Sequence, residues 1–381
     1  MAITHYYVRP VNGANVAGQG TSHATAYLTH QFASDDIGGT HGQGADGDQI
    51  NICDEGPSVA AAPWNLAGYG APALGRPLII RGYTTVANDG GIGEIDCNGA
   101  TMWASNAYDD IALIDLEIHS PGNNNCIDLD NDISIIHCYV HPGVSAPNAK
   151  YAITADLSCL ISHCYIPAFG TNSINIYFSG AHYAIVENNY VITDNIAIQE
   201  SGFSPNIRGN VIYCTGNSTG IISTNNYCYV TRNAVFAQVG NTGAGISGGG
   251  GSGQLVSITN NIVANFSGVG GAGIDFLATL QGSIVGNNAF YNCTNNYATV
   301  DDILYDLRAN DVALGADPFV NAAAGNFMLT AAAQTALRSL GWPSTYLGAA
   351  VTDIQLTIGP VQYGETTAGG GRRPRIRWHG V

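Results

Sequence analysis

The chain is short of charge and, above all, of lysine. Only 10% of its 381 residues are charged, and Lys150 is the single lysine among 12 basic groups. No stretch approaches the about 18 consecutive apolar residues of a membrane helix, so no helical span is expected. The start, MAITHYYVRP, has neither the basic cluster nor the apolar run of a secretory signal. The cysteines (53, 97, 126, 138, 159, 164, 214, 228 and 293) are odd in number and never form Cys-x-x-Cys. That spacing argues against a zinc site or a disulfide framework and for buried thiols. Basic groups are also unevenly placed. Four arginines lie in the last ten residues, leaving eight basic groups against 28 acids, a body about 20 charges negative. Such a body repels nucleic acid and anionic membranes, so neither is expected as a partner.

Glycine (49 residues) and apolar residues (45%) are plentiful, which reads as a β-rich chain with many tight turns. A repeat organises it. IDLEIH from Ile114, IHCYVH from Ile136, SHCYIP from Ser162, ENNYVI from Glu187, RGNVIY from Arg208, TRNAVF from Thr231, TNNIVA from Thr259 and GNNAFY from Gly286 align. Their third position reads Leu116, Cys138, Cys164, Asn189, Asn210, Asn233, Asn261 and Asn288, at intervals of 22, 26, 25, 21, 23, 28 and 27 residues. A lone strand pair cannot bury its apolar face, but stacked copies can. This period, with strands and no helices between them, predicts a solenoid of parallel strands with rungs about 4.8 Å apart. Five successive asparagines predict a ladder in which each amide bonds the one above and below. The fifth position, Ile118, Val140, Ile166, Val191, Ile212, Val235 and Val263, predicts the core stack.

On these repeats, and on its ends, the chain resembles the right-handed parallel β-helix proteins of the pectate-lyase-like superfold, including phage virion and tailspike proteins. HYYVRPVNG, GTSHATAYLTHQFA and DGDQINIC resemble the family's opening strand, capping helix and entry turn; ADPFVNAAAGNFMLT, AAAQTALRSLG and DIQLTIGPVQ resemble its closing segment. The resemblance implies an all-β solenoid over 47–320, an N-terminal cap over 1–46, a C-terminal cap over 321–363 and a basic tail over 364–381. A helix is expected from an N-cap at Thr330 to Gly341, stopped by Pro343. The superfold hosts lyases, hydrolases and inert structural proteins alike, so it implies little about activity.

Three chemical candidates stand out. In CIDLDNDIS, Asp128, Asp130 and Asp132 alternate; on one strand they would share a face and could hold Ca²⁺, the one cofactor the sequence suggests. An EF-hand is excluded, because its sixth position is Ile133 and its twelfth Tyr139. Asp115, His137 and His163 share one repeat position, and His119 and His141 another. With Asp109, Asp110, Glu117 and Asp130 they would make a carboxylate–imidazole patch able to cleave a polysaccharide. Ordinary polar stacking of a solenoid accounts for the same columns. Family signatures are otherwise thin: Asp109–Asp110 is the only polygalacturonase-like pair, and Lys150 the only base near a lyase-like site. Third, Tyr165, Tyr190, Val211 and Ile262 form one outward apolar column, and Ile192, Tyr213, Phe236, Ala264 and Tyr291 another. An open stripe of this length would seek a second subunit, which predicts a homo-oligomer, a trimer in the tailspike manner. Loops of the same chain could cover it instead. GNTGAGISGGGGSGQ, 240–254, reads as a loop insertion.

The tail, AGGGRRPRIRWHGV, joins a triple-glycine hinge to Arg372, Arg373, Arg375, Arg377 and Trp378. Guanidiniums seek carboxylates, and tryptophan anchors interfaces, so the tail reads as an assembly arm. Together these features point to a non-enzymatic structural protein of a phage virion, made in the host cytoplasm and held among other virion proteins. The alternatives are a polysaccharide-degrading enzyme and a glycan-binding protein whose partner is a surface polysaccharide.

Overall fold

In the computed structural model, residues 3–37, 48–59, 64–65, 77–98, 101–104, 111–120, 125–129, 133–142, 151–156, 158–168, 173–180, 183–202, 204–223, 227–248, 256–276, 283–299, 305–322 and 326–337 are described. The strands of these residues form three parallel sheets of 12, 11 and 10 strands, here A, B and C, visited in that order on every rung. Residues one rung apart are register partners throughout, as in Ile118 with Val140 and Val191 with Ile212. The structure is thus a parallel β-helix. Sheet C is the strand per rung that the repeat alignment did not contain.

The short corner from A to B explains the alignment. One residue per rung turns the chain: Asp115, His137, His163, Asn188, Gly209, Arg232, Asn260 and Asn287 all have φ between +54° and +66°. Asparagine, aspartate, histidine and glycine tolerate this left-handed conformation best. The next residue points inward. Leu116, Cys138 and Cys164 stack there, followed by the five asparagines, all buried. Asn189 Nδ2 donates to Asn210 Oδ1 at 3.0 Å, Asn210 to Asn233 at 2.9 Å, Asn233 to Asn261 at 3.1 Å and Asn261 to Asn288 at 3.1 Å. Each Oδ1 also accepts the backbone N–H of the rung before it, as in Asn189 N to Asn210 at 3.1 Å. Each Nδ2 also donates to a sheet A carbonyl, as in Asn210 to Val186 O at 2.9 Å. The amides are therefore saturated in a dry interior, where an unpaired one is costly.

Inside, the fifth-position stack from Ile118 to Val263 is fully buried. Each such side chain contributes roughly 1.5–3 kcal/mol relative to exposure. The Gly-rich stretch is not simply a loop: Ala244–Gly248 is a buried strand of sheet C, and 249–255 lie outside the described residues. Its glycines are there for space. Gly220, Gly245 and Gly273 succeed one another on adjacent rungs. A Cβ on Gly245 would sit 2.3 Å from Val263 Cγ1 and 2.8 Å from the Gly273 carbonyl. Gly245→Val is accordingly expected to destabilise by about 1–3 kcal/mol or more, read as a lowered unfolding midpoint. An unchanged midpoint would mean that the core there is loose.

The apolar stripe of sheet B is corrected by the fold. It does not lie open. Besides the short N-terminal helix α1, His30–Asp35, the chain has an antiparallel hairpin, Phe319–Asn321 with Asn326–Leu329, and a helix α2, Ala331–Leu337, which pack on the stripe. Phe236, Ile262, Ala264 and Ala289 are buried with Phe319, Leu329, Ala333 and Leu337; Tyr213 and Tyr291 are partly buried against them. Tyr190 meets Phe327 at 5.4 Å between ring centres. The stripe's apolar pattern thus serves the chain's own cap and no longer requires a second subunit. Helix α2 is capped as expected: Thr330 Oγ1 accepts from Ala333 N at 3.2 Å. Residues beyond Leu337, including Gly341 and Pro343, lie outside the described residues.

Candidate functional site

The corner between sheets A and B holds the histidine–carboxylate column. Arg81, which the repeat alignment did not reach, donates from Nε to Asp115 Oδ2 at 2.9 Å and from Nη1 to Asn88 Oδ1 at 3.0 Å. His137 Nδ1 lies 3.5 Å from the other Asp115 oxygen. His137 and His163 meet edge to face at 5.1 Å. Ser162 Oγ bonds His163 Nδ1 at 2.7 Å and reaches Glu187 at 3.5 Å, and Glu187 pairs with Arg208 at 2.6 Å. Burial, and then the nearby His137, push the His163 imidazole below its ordinary pKa. Asp115, His137 and His163 are therefore brought together as the sequence suggests, because all three occupy the one left-handed position of their rung.

A second column runs up the outer face of sheet B. His119 Nε2 bonds Glu94 at 3.1 Å, and its Nδ1 lies 3.7 Å from Asp96; His141 Nε2 bonds Glu117 at 3.0 Å. The two imidazoles stack at 5.1 Å. Beside them, in the column that Glu117 begins, the rings of Tyr139, Tyr165 and Tyr190 stack nearly parallel, at 5.1 and 5.4 Å. Rings stacked along the solenoid turn their edges, not their faces, to solvent.

The other candidates are placed only in part. Asp128 sits on a sheet C strand, Ile127–Leu129, in register with Thr154. Asn125 Nδ2 reaches both Asp128 and Thr154, each at 3.4 Å. That strand ends at Leu129, while Asp130 and Asp132 lie outside the described residues, as do Asp109, Asp110, Arg372, Arg373, Arg375, Arg377 and Trp378. Among the described residues no cluster of three His, Cys, Asp or Glu side chains could hold a metal ion.

The last rung carries a group that the sequence did not flag. Asp311 ends the asparagine ladder: its Oδ1 accepts Asn288 N at 2.8 Å and its Oδ2 accepts the Tyr297 hydroxyl at 2.6 Å. Burial pushes the Asp311 carboxyl up to about 6, against the hydrogen bonds that favour its charge. A raised folded pKa means that the folded state holds its proton longer than the unfolded chain. Stability from this group is therefore full below the unfolded value of about 3.9 and falls as pH rises through about 6. Asp311→Asn is expected to flatten that slope between about pH 4 and pH 7, followed by thermal melts. An unchanged slope would assign the pH dependence elsewhere.

No protein-family model matches the chain, and no curated protein matches it significantly. Solved structures do. The crystal structure of pectate lyase Pel9A aligns with 12% identity and a TM-score of 0.49, over 95% of this chain and 97% of that one. The lacto-N-biosidase of family GH136 from Eubacterium ramulus aligns with 10% identity and a TM-score of 0.37, over 81% of this chain and 67% of that one. The fold stands on the chain's own geometry: three parallel sheets, a left-handed corner and an asparagine ladder make it a parallel β-helix, as the resemblance implied.

Proposed function

We propose that the protein is a non-enzymatic structural β-helix, a rigid rod mounted in a bacteriophage particle through its basic C-terminal arm. The observation that carries this reading is how the polar columns are used. Asp115 is bonded by Arg81, Glu187 by Arg208, and Glu94 and Glu117 by histidines of the next rung. These pairs tie rung to rung. A general acid or base must instead reach a substrate proton. The nine free cysteines, eight of them buried, fit a chain that folds in a reducing cytoplasm before assembly. With the stripe covered, this reading assigns association to the arm, and its partner is another protein of the particle.

The test is a polysaccharide screen. Pectic, capsular and other acidic polysaccharides are incubated with the protein, and new reducing ends and unsaturated products are measured. The expected result is no product above that of Asp115→Asn. Product formation that Asp115→Asn or His137→Ala abolishes would replace the structural reading with a polysaccharide-degrading one. Retained glycan without product would favour a glycan-binding protein.

A further inference from the structure

Among the described residues Glu200 is the one carboxylate that is fully buried, 0% exposed, and it ends a strand of sheet C, Ile196–Glu200. The other buried acids sit near the N-terminal cap, where Asp36 accepts the Tyr27 hydroxyl and Asp48 the Thr4 N–H. Glu200 instead faces the core of the solenoid. Its register partners are Phe178 and Ser223, and Gly248 and Phe276 follow on the next rungs. Between the two phenylalanines this inward column is thin. Ser223 Oγ donates to Glu200 Oε2 at 3.0 Å. Burial pushes the carboxyl up to about 7, against the bonds from Ser223 and the Gly202 N–H that favour its charge. Among the described residues, the titratable groups inside the elements around it are two buried thiols. Cys228 lies where the charge of Glu200 bears on it, and Cys214 meets Ser218 instead; burial pushes both thiols up, so neither competes for the proton. Glu187 and Arg208, on the strands of sheet A, lie on its outer face and pair with each other.

The two corners of these rungs are held differently. At the A–B corner Asn189 and Asn210 carry ladder bonds through both ends of their amides. At the C–A corner, which follows Glu200, Ser201 donates from N and from Oγ to the one Phe178 carbonyl, at 2.9 and 2.8 Å, and from Oγ to Ser179 O at 3.2 Å. A carboxylate in an apolar interior favours any form in which water reaches it. The thin column and the lightly bonded corner admit that water without breaking the ladder.

We infer that Glu200 is a proton-operated latch: uncharged, it keeps the C–A corner of its rung shut, and ionised, it opens that corner while the ladder holds the other. The shut form keeps the proton up to about 7, and the open form releases it near the ordinary glutamate value of about 4.3. Support for the shut form is therefore full below about 4.3 and is lost as pH rises to about 7, by up to about tenfold in the opening equilibrium for each pH unit. Above about 7 both forms are charged and the effect levels off. The latch belongs to the fold and does not rest on the proposed role.

The test is hydrogen exchange of the full-length protein, followed by mass spectrometry from about pH 4 to about pH 8 and corrected for the intrinsic exchange rate. Opening of Ile196–Glu200 and Thr219–Ser223 is read against that of Ala234–Ala237, a sheet B strand of the same molecule. The ratio is expected to rise at least tenfold between about pH 4 and about pH 7 and then to level off, and Glu200→Gln should lose the rise. A ratio that stays constant or falls would overturn the latch, as would a rise that Glu200→Gln keeps. Equal loss of protection in the reference strand would also overturn it, because the titration would then act on the whole fold. Should Glu200→Gln fail to fold, the ratio within the native protein decides the matter alone.

Discussion

Asn233→Ala is expected to destabilise the protein by about 3–5 kcal/mol, one of the largest effects a single surface-neutral change could produce. The residue is fully buried at the middle of the ladder. Its Oδ1 accepts from Asn210 N at 3.0 Å and from Asn210 Nδ2 at 2.9 Å. Its Nδ2 donates to Ile207 O at 2.9 Å and to Asn261 Oδ1 at 3.1 Å. Truncation leaves several of these groups short of a partner in a fully buried site, and each costs about 1–3 kcal/mol. Asn233→Asp separates the hydrogen bonds from the volume. It keeps the shape but loses both donors and buries a charge. Its folded pKa must rise above about 3.9, so the variant's stability falls as pH rises and lies closest to the native protein in acid. Thermal melts across pH decide the matter. A cost below about 1 kcal/mol, or no pH dependence in the aspartate variant, would mean that the ladder is ornamental.

The ladder was legible in the sequence because one conformational demand repeats on every rung. The corner admits only residues that accept positive φ, and the next position must satisfy backbone groups in a dry core. Those constraints fix residue type at a constant offset, so Asn189 to Asn288 and the corner histidines could be aligned by eye. Sheet C escaped for the opposite reason. One position per rung takes Ala197, Gly220, Gly245 or Gly273, because facing side chains of sheet B already fill the space there. The buried isoleucines beside it, Ile153, Ile176, Ile198, Ile221, Ile246 and Ile274, stack in register, but with small residues next to them they do not show the alternation of a strand. Arg81 was missed because its rung precedes the first aligned segment, although it stands in register with Ile114. Asp311 was missed because it closes the ladder with a carboxylate, just before a strand, Val312–Ala313, too short to show a repeat. The stripe was read correctly as apolar on both sides. Sequence alone does not say whether the cover comes from another chain or from residues a hundred positions later.

The origin of that cover yields the second large effect. Phe236→Ala is expected to cost about 3–5 kcal/mol, the range for emptying a buried phenylalanine site. The ring is 5% exposed and sits between solenoid and cap, 5.6 Å from Tyr213, 5.8 Å from Phe319 and 6.2 Å from Phe327. The hairpin forms its own two-stranded sheet, outside sheets A, B and C. Among the described residues, its attachment to the solenoid is therefore chiefly a matter of apolar side chains. Loss of the central one should loosen the cap before the rungs. The expected signature is faster proteolysis between Ala313 and Phe319, together with a fall in the unfolding midpoint. A released cap also exposes Tyr213, Ile262, Ala264 and Tyr291, a patch that a soluble chain does not leave bare. The variant should then associate, where the native protein does not use this surface. A cap that stays protease-resistant in Phe236→Ala, with the midpoint unchanged, would show that the stripe is not what holds it. The apolar pattern would then again call for a second subunit.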